Sequence, residues 1–318
     1  MRQPILSLLR WLLRSLALLV GIVSLVFLAV RAAPGDPVDH LLGDQASVAD
    51  RQALRQQLHL DGPLHSQYLG MLTEIADGTL GTSPAMAGGP TPVAALIVDR
   101  LPNTLALAAA SVAWAMALAL ILGIAAAVHR GRWSDHLARV VALLAVSLPA
   151  FVSGPLVLFA FTVFLPWAPT PAHDAGALAS LVLPSLVIGF ALSGRLGRLL
   201  RASLVETLAS DMARAWRARG ASERRVLWRH ALPNALLPVI TLLGLQLAAL
   251  LGGALVTEKI FGRKGLGTLL LDGIAARDHA VVQGCVLTIA ILYLAAMGLS
   301  AATTAWLDPR LRQAPVPT

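Results

Sequence analysis

Long runs without a charged residue alternate along this chain with short charged segments. A helix needs roughly 20 mostly apolar residues to cross the hydrocarbon core of a bilayer, and five uncharged runs reach that length. They lie at 101–128, 140–172, 175–194, 231–257 and 280–307. The pattern predicts spanning helices that together make a five-span core at 101–307. Their expected bounds are 101–128, 138–165, 175–195, 235–257 and 281–307.

Another apolar run, from about Leu9 to Val30, contains two arginines near its start. Arg10 and Arg14 can extend to the headgroups, because a long side chain near a helix end reaches the interface. A cleaved signal peptide would also begin with basic residues, but its apolar part is shorter and ends at a small-residue cleavage site. We therefore assign 1–30 to an N-terminal tail and a retained first span, and predict an all-α membrane protein with six transmembrane helices.

The distribution of positive charge predicts the orientation of these spans. The chain is 57% hydrophobic and only 13% charged. Six spans place both termini on one side, and cytoplasmic loops carry an excess of Lys and Arg. With the termini inside, 17 of the 25 Lys and Arg residues fall on inner segments and 8 on outer ones. We expect both termini in the cytoplasm, and the net charge of +8 then reflects topology rather than a nucleic-acid surface.

The expected periplasmic segment, 31–100, is the longest stretch outside the apolar runs. The residues from Ser47 onward have the spacing of a capping box, which predicts a short helix to about His59. A second helix is expected over Leu64–Ile75, before a stretch with several glycines that is typical of turns. At the other end of the chain, 308–318 is expected to form a cytoplasmic tail.

Three prolines interrupt the expected span at 138–165 and its end. They are Pro149, Pro155 and Pro166. Proline removes a backbone donor and kinks or breaks a helix, so this span can be broken beside a central cavity. Membrane helices also tolerate proline when neighbouring groups satisfy the freed carbonyls. The sequence leaves both alternatives open.

A basic insert at 195–233 separates the fourth and fifth spans and has a helix-turn-helix pattern. Ser210 can cap a first helix, and Gly220 can adopt the left-handed conformation that ends it. A second helix follows, and Leu232-Pro233 is expected to end it at the membrane boundary. The first helix is about 12 Å long, a size that fits a groove on another protein. A basic helix lying on anionic lipid has the same pattern.

Other classes of membrane protein lack their required residues here. The sequence has no Gly-x-x-x-x-Gly-Lys-[Ser/Thr] loop for a nucleotide, and the lysine of Gly262–Thr268 is misplaced for one. The eight histidines lie in loops or at span ends, without the spacing of metal ligands on one helix. The single cysteine, Cys285, excludes an intrachain disulfide. A proton-driven carrier or an intramembrane enzyme would need ionisable residues at mid-span. A purely structural membrane scaffold would have no use for the helix-turn-helix insert.

The insert resembles the cytoplasmic loop of bacterial ABC importer permeases. That loop reads Glu-Ala-Ala, three residues, Gly, nine residues, Ile, any residue, Leu-Pro. Three positions of this chain depart from it, because Arg214 stands where glutamate is usual, Trp216 where alanine is usual and His230 where isoleucine is usual. The residues in the matching positions are Arg214, Ala215, Trp216, Gly220, His230, Leu232 and Pro233.

Further motifs extend the resemblance to the first permease subunit of the dipeptide, oligopeptide and nickel importer family. One departure is Arg263-Lys264, where Trp-Pro is usual before Gly-Leu-Gly. The motifs are Ala33–Pro37, Gly81–Ser83, Arg100–Thr104, Arg130–Trp133, Ser147–Pro149, Arg229–Leu232, Asn234–Pro238, Gly265–Gly267 and Asp308–Arg310.

The resemblance implies a type I ABC importer permease fold in the bacterial inner membrane. Its implied partners are a homologous second permease subunit, two cytoplasmic ABC ATPases and a periplasmic solute-binding protein. ATP would be hydrolysed by the partner subunits, and this chain would have no catalytic, metal or cofactor site. The implied substrates are di- or oligopeptides, with nickel or a metal chelate as the alternative. The expected ATPase-coupling residues are Asp211, Arg214, Ala215, Trp216, Arg217, Arg219, Gly220, Leu232 and Pro233.

Overall fold

The computed structural model describes residues 2–32, 38, 47–57, 62–84, 86, 89–165 and 179–307. Helices dominate these residues and confirm the all-α class. The exception is an antiparallel pair of two-residue strands, β1 (Thr82–Ser83) and β2 (Thr91–Pro92). The motif at 33–37, Pro166 and the tail at 308–318 lie outside the described residues.

The helices follow the apolar runs and the capping signals of the sequence. In the first half of the chain they are α1 (Arg2–Ala32), α2 (Val48–Gln57), α3 (Leu64–Ala76), α4 (Val93–Val128), α5 (Trp133–Ser147) and α6 (Ala150–Phe159). In the second half they are α7 (Ala179–Ala209), α8 (Asp211–Ala218), α9 (Glu223–Arg225), α10 (Leu232–Ile260), α11 (Leu266–Ala275) and α12 (His279–Leu307). Two π-helical segments follow α6 and α9, at Ala160–Phe164 and Val226–Ala231.

Five helical stretches of the described residues are long and apolar enough to cross a membrane. They are α1, α4, α7, the stretch from α9 into α10, and α12. A sixth span is reached if α5 and α6 with its π-helical segment count as one, although these two parts are bent by 105°. The break falls at Pro149, because proline lacks the backbone donor and forces the residue before it, Leu148, into an extended conformation. The broken alternative for this span is therefore the one observed.

Several helices extend beyond the uncharged runs. The helix α4 starts at Val93, ahead of the expected start at 101, and α7 continues to Ala209, so the beginning of the insert is the end of a spanning helix. The short helix α11 was not predicted. Leu266, Leu269 and Leu270 are buried, but a helix of ten residues is too short to cross a bilayer, so the length of the uncharged runs does not predict it.

The chain divides into two compact units. The first consists of Met1–Thr104 and Lys264–Leu294. Its buried apolar cluster comes from α1, α3 and α12 and includes Val23, Phe27 and Leu287. The Phe27 ring meets the Tyr68 ring edge to face with centroids 5.3 Å apart, a favoured arrangement for aromatic pairs. This contact packs α1 against α3.

The second unit consists of Leu105–Arg263 and Ala295–Thr318. The helix α7 packs against α5 and α10 in this unit, and its Leu196, Leu200 and Leu204 are fully buried. Small residues permit close approach of helices, as is usual in membranes. A Cβ added to Gly194 of α7 would lie 2.5 Å from the carbonyl oxygen of Ala142 in α5. The central helix of this unit therefore continues directly into the insert.

Candidate functional site

The helix α8 starts at the cap that the sequence predicts. The Ser210 hydroxyl oxygen accepts a hydrogen bond from the backbone N–H of Ala213 at 3.4 Å, which satisfies one donor left free at a helix start. Asp211 lies in the first turn, where a negative charge is favourable beside the positive end of the helix dipole. Ala213 is fully buried, whereas Asp211 and Arg214 are exposed.

The helix ends in a Schellman motif at Gly220. The Ala221 N–H bonds to the Trp216 carbonyl at 3.1 Å, and the Gly220 N–H bonds to the Arg217 carbonyl at 2.9 Å. Gly220 has a φ of 80°, the left-handed conformation that this motif requires and that glycine adopts without steric cost. A Cβ at Gly220 would meet nothing within 4 Å. The predicted turn is confirmed, and the space that a side chain at Gly220 would enter is open.

Arg217 forms hydrogen bonds within the insert, so its guanidinium is not available for docking. Its guanidinium donates to both carboxylate oxygens of Glu223, at 2.7 and 3.1 Å, and to the Leu208 carbonyl at 2.9 Å. Hydrogen bonding from Arg217 to the Glu223 carboxylate raises the pKa of Arg217 above its usual value. The side chain therefore joins the end of α7 to the first residue of α9, and holds α8 between them.

The outward face of α8 carries the other expected contact residues. Arg214 pairs with Asp211, and both side chains are largely exposed, at 70% and 95%. Ala215 is also exposed. The Arg219 guanidinium lies 5.4 Å from the centre of the Trp216 ring, within the range of a cation–π contact. Trp216 itself is half-buried and stacks on His230 of the π-helical segment.

The prediction that Leu232-Pro233 ends the second helix is wrong. Leu232 is helical, with φ −60° and ψ −46°, and Pro233 lies in the first turn of α10. The Leu232 N–H bonds to the carbonyl five residues back, at Leu227. The π-helical turn is wider than an α-helical one, and Pro233 lies in the first turn of α10. Together these features accommodate the proline ring without breaking the helix. Leu232 is buried in the core of the second unit, and Pro233 is exposed.

An ion-pair cluster beside the insert was missed at the sequence level. Asp135 of α5 is only 1% exposed and binds the guanidinium of Arg201 in α7 through two hydrogen bonds, at 2.7 and 2.9 Å. Arg139 and the Gly131 N–H also donate to Asp135, at 3.2 and 3.0 Å. The spacing of Asp135 and Arg139 on one helix was readable, but Arg201 is 66 residues from Asp135. The cluster locks α5 to the end of α7 that leads into α8.

No group of three or more His, Cys, Asp and Glu residues within the described part of the chain could hold a metal ion. Cys285 is buried. The insert presents a short capped helix, α8, and Arg217 in its last turn bonds back to Leu208 at the end of α7.

Multiple apolar spans with an exposed short helix between two of them define a multi-pass membrane protein. The profile of a family described as "binding-protein-dependent transport system inner membrane component" matches residues 119–313. A second profile, for the N-terminal part of such membrane components, matches residues 5–108. The chain belongs to this family of inner membrane components, and it is a permease subunit of a binding-protein-dependent ABC importer.

Curated relatives agree with this assignment. The glutathione transport system permease protein GsiC of Salmonella typhimurium is 40% identical over 276 residues, which cover 87% of this chain and 89% of that protein. The protein of the same name from Escherichia coli K12 is 40% identical over 270 residues, which cover 85% of this chain and 87% of that protein. The resemblance to the peptide and nickel importer family is therefore confirmed.

Solved structures support the fold. The MetNI methionine ABC transporter, in inward-facing conformations from two crystal forms, matches with TM-scores of 0.56 and 0.57 at 20% and 18% identity. Each match covers 68% of this chain and 98% of the transporter chain. These similarities confirm the type I importer permease fold. A permease of this class works with an ATPase and with a substrate-binding protein.

Proposed function

We propose that this chain forms half of a translocation pathway and that a second, homologous permease subunit forms the other half. Two cytoplasmic ATPases bind and hydrolyse ATP, and a periplasmic binding protein delivers the substrate. This chain binds no cofactor and catalyses no reaction. The observation that carries the proposal is the short helix α8, whose outward face is exposed while Arg217 ties it to the end of α7.

The proposed mechanism is a displacement of α8 when the ATPases close. Asp211, Arg214 and Ala215 offer the outward contacts, and Arg219 lies beside them at the end of the helix. Because α7 and α10 flank the insert and pack on each other, a push on α8 moves two spanning helices. This movement exchanges an outward-facing state and an inward-facing state of the pathway.

The orientation follows from charge. The insert carries nine of the chain's 25 Lys and Arg residues, and loops rich in these residues stay in the cytoplasm. We therefore place the insert and both termini on the cytoplasmic side, where ATP is available. The segment 31–100 then lies on the periplasmic side, where the binding protein is located.

The substrate that we propose is a di- or oligopeptide. GsiC, the relative with 40% identity, is named for glutathione, which is a tripeptide. Proteins of this similarity over most of their length often share a substrate class, and nothing in the described residues favours nickel, because no group of metal-binding side chains occurs among them.

Uptake into proteoliposomes tests this function. The complete complex is reconstituted with its binding protein, and radiolabelled glutathione and nickel-63 are supplied in separate assays. We expect glutathione uptake that needs both ATP and the binding protein, and we expect unlabelled dipeptides or oligopeptides to compete. The peptide assignment would be contradicted if nickel is taken up while glutathione is not, and if peptides do not compete. That result would favour the metal alternative.

A further inference from the structure

Two aromatic side chains of the insert stack on each other. The Trp216 ring of α8 and the His230 ring of the π-helical segment are 4.0 Å apart between centroids, with 14° between their planes. These are the two positions at which the insert departs from the small and aliphatic residues of the loop that it resembles. The fold brings them into one contact, so the two departures are a single structural feature.

The contact lies at the junction between α8 and the helix that enters the membrane. Trp216 supplies the carbonyl that closes the Schellman motif, and His230 lies three residues before Pro233 in the last turn of the π-helical segment. The His230 carbonyl accepts a hydrogen bond from the Asn234 side chain at 2.7 Å. The ring that meets Trp216 is therefore anchored to the start of α10.

The surroundings of His230 indicate that packing, rather than hydrogen bonding, holds this ring. Its Nε2 atom is buried and has no hydrogen-bond partner among the described residues. Burying a polar atom without a partner costs free energy, and stacking of the two rings offsets that cost. Arg219 adds its guanidinium at 5.4 Å from the centre of the Trp216 ring.

Other contacts from α8 to α10 are weaker. The Asn234 amide reaches the Met212 sulfur at 3.8 Å, and a thioether is a poor acceptor. Arg217, the strong tie of α8, bonds to Leu208 of α7 and to Glu223. The Trp216–His230 stack is a direct side-chain contact between α8 and the π-helical segment that leads into α10.

We propose that the Trp216–His230 stack positions α8 against α10, so that a push on α8 is transmitted to the fifth span. This inference rests on the proposed coupling function. Trp216 and His230 are positioning residues in it, because they act through the two helices and touch neither substrate nor nucleotide. The role needs two side chains of complementary shape, and either ring without the other leaves a misfit.

A double-mutant cycle tests the stack. The variants are Trp216→Ala, His230→Ile and the two combined, each in the complete complex in proteoliposomes. The readout is radiolabelled glutathione, or trialanine if glutathione is not carried, taken up per ATP hydrolysed. We expect each single variant to lower this ratio about three- to ten-fold, and the pair to recover to within about two-fold of wild type, since contacting residues couple. Effects of the single variants that simply multiply in the pair would overturn the proposal.

An aromatic pair keeps the proposal testable if a truncated variant fails to fold. Trp216→Phe combined with His230→Phe retains two stacked rings but removes the nitrogen atoms of the indole and the imidazole. We expect this pair to show wild-type transport per ATP. Loss of transport in this pair would count against stacking. Gly220→Leu separates the two levels of inference. If Gly220→Leu uncouples ATP hydrolysis from uptake while the stack variants remain coupled, the proposal for the stack is wrong and the coupling function stands. If Gly220→Leu remains coupled, the proposed coupling function is wrong.

Discussion

Gly220→Leu is expected to lower ATP-driven substrate uptake about ten-fold or more, a barrier change of about 1.4 kcal/mol or larger. Leucine in the left-handed conformation costs roughly 1–2 kcal/mol, which a folded permease can absorb. Its side chain would point into open space, because a Cβ at Gly220 meets nothing in this chain within 4 Å. The obstruction therefore arises at the partner ATPase, and ATP hydrolysis continues without transport.

The matched control for this variant is Gly78→Leu. Gly78 has a φ of 76°, close to the 80° of Gly220, and a Cβ there also meets nothing within 4 Å. It lies between α3 and β1, outside the insert in the sequence, so we expect uptake per ATP to stay at the wild-type value. Coupled uptake at the wild-type ratio in Gly220→Leu would show that α8 does not transmit the motion.

Asp135→Asn is expected to lower the amount of folded permease and to reduce its thermal unfolding midpoint by roughly 5–10 °C. The amide has the shape of the carboxylate but not its charge. Arg201, whose side chain is 25% exposed, would lose its counter-ion and one of its two hydrogen bonds to this side chain, because the amide NH₂ donates and cannot accept. Size-exclusion chromatography of the detergent-solubilised protein after heating measures the midpoint.

Two controls separate this loss from a general effect of charge. Arg201→Lys keeps the positive charge but loses the planar fork, so we expect a smaller decrease in the midpoint. Asp99→Asn removes one partner of the Asp99–Arg100 pair, in which the aspartate is 78% exposed, and we expect no measurable change. A midpoint in Asp135→Asn as high as that in Asp99→Asn would show that the cluster does not lock α5 to α7.

The ends of α8 could be predicted from the sequence because capping is local chemistry. Ser210 reaches a backbone N–H three residues later, and Gly220 closes bonds within six residues. The spans could be predicted because a lipid-facing helix must be apolar over a fixed length. Their ends could not, because apolarity marks only the hydrocarbon core, and α7 continues past it to Ala209.

Contacts between residues that are far apart in the sequence could not be predicted. Asp135 and Arg201 are 66 residues apart, and only the packing of α5 on α7 brings them together. The stack of Trp216 on His230 depends in the same way on the turn between them. The rule that proline ends a helix failed at Pro233, because a π-helical turn precedes it and proline is tolerated in a first turn.

Site-directed cross-linking tests most directly whether α8 contacts an ATPase. The single cysteine, Cys285, is buried and is replaced by alanine. Ala215→Cys then places one thiol on the exposed face of α8 for a maleimide photo-cross-linker. Gln52→Cys, on the exposed surface of α2, is the control, because the proposed orientation places α2 in the periplasm.

In the complete complex, we expect the thiol at position 215 to cross-link to an ATPase chain, with a yield that changes when ATP binds. The thiol at position 52 should give no ATPase adduct. Cross-linking of position 215 to lipid alone, with and without ATP, would contradict the coupling function and show that the insert lies on the membrane surface.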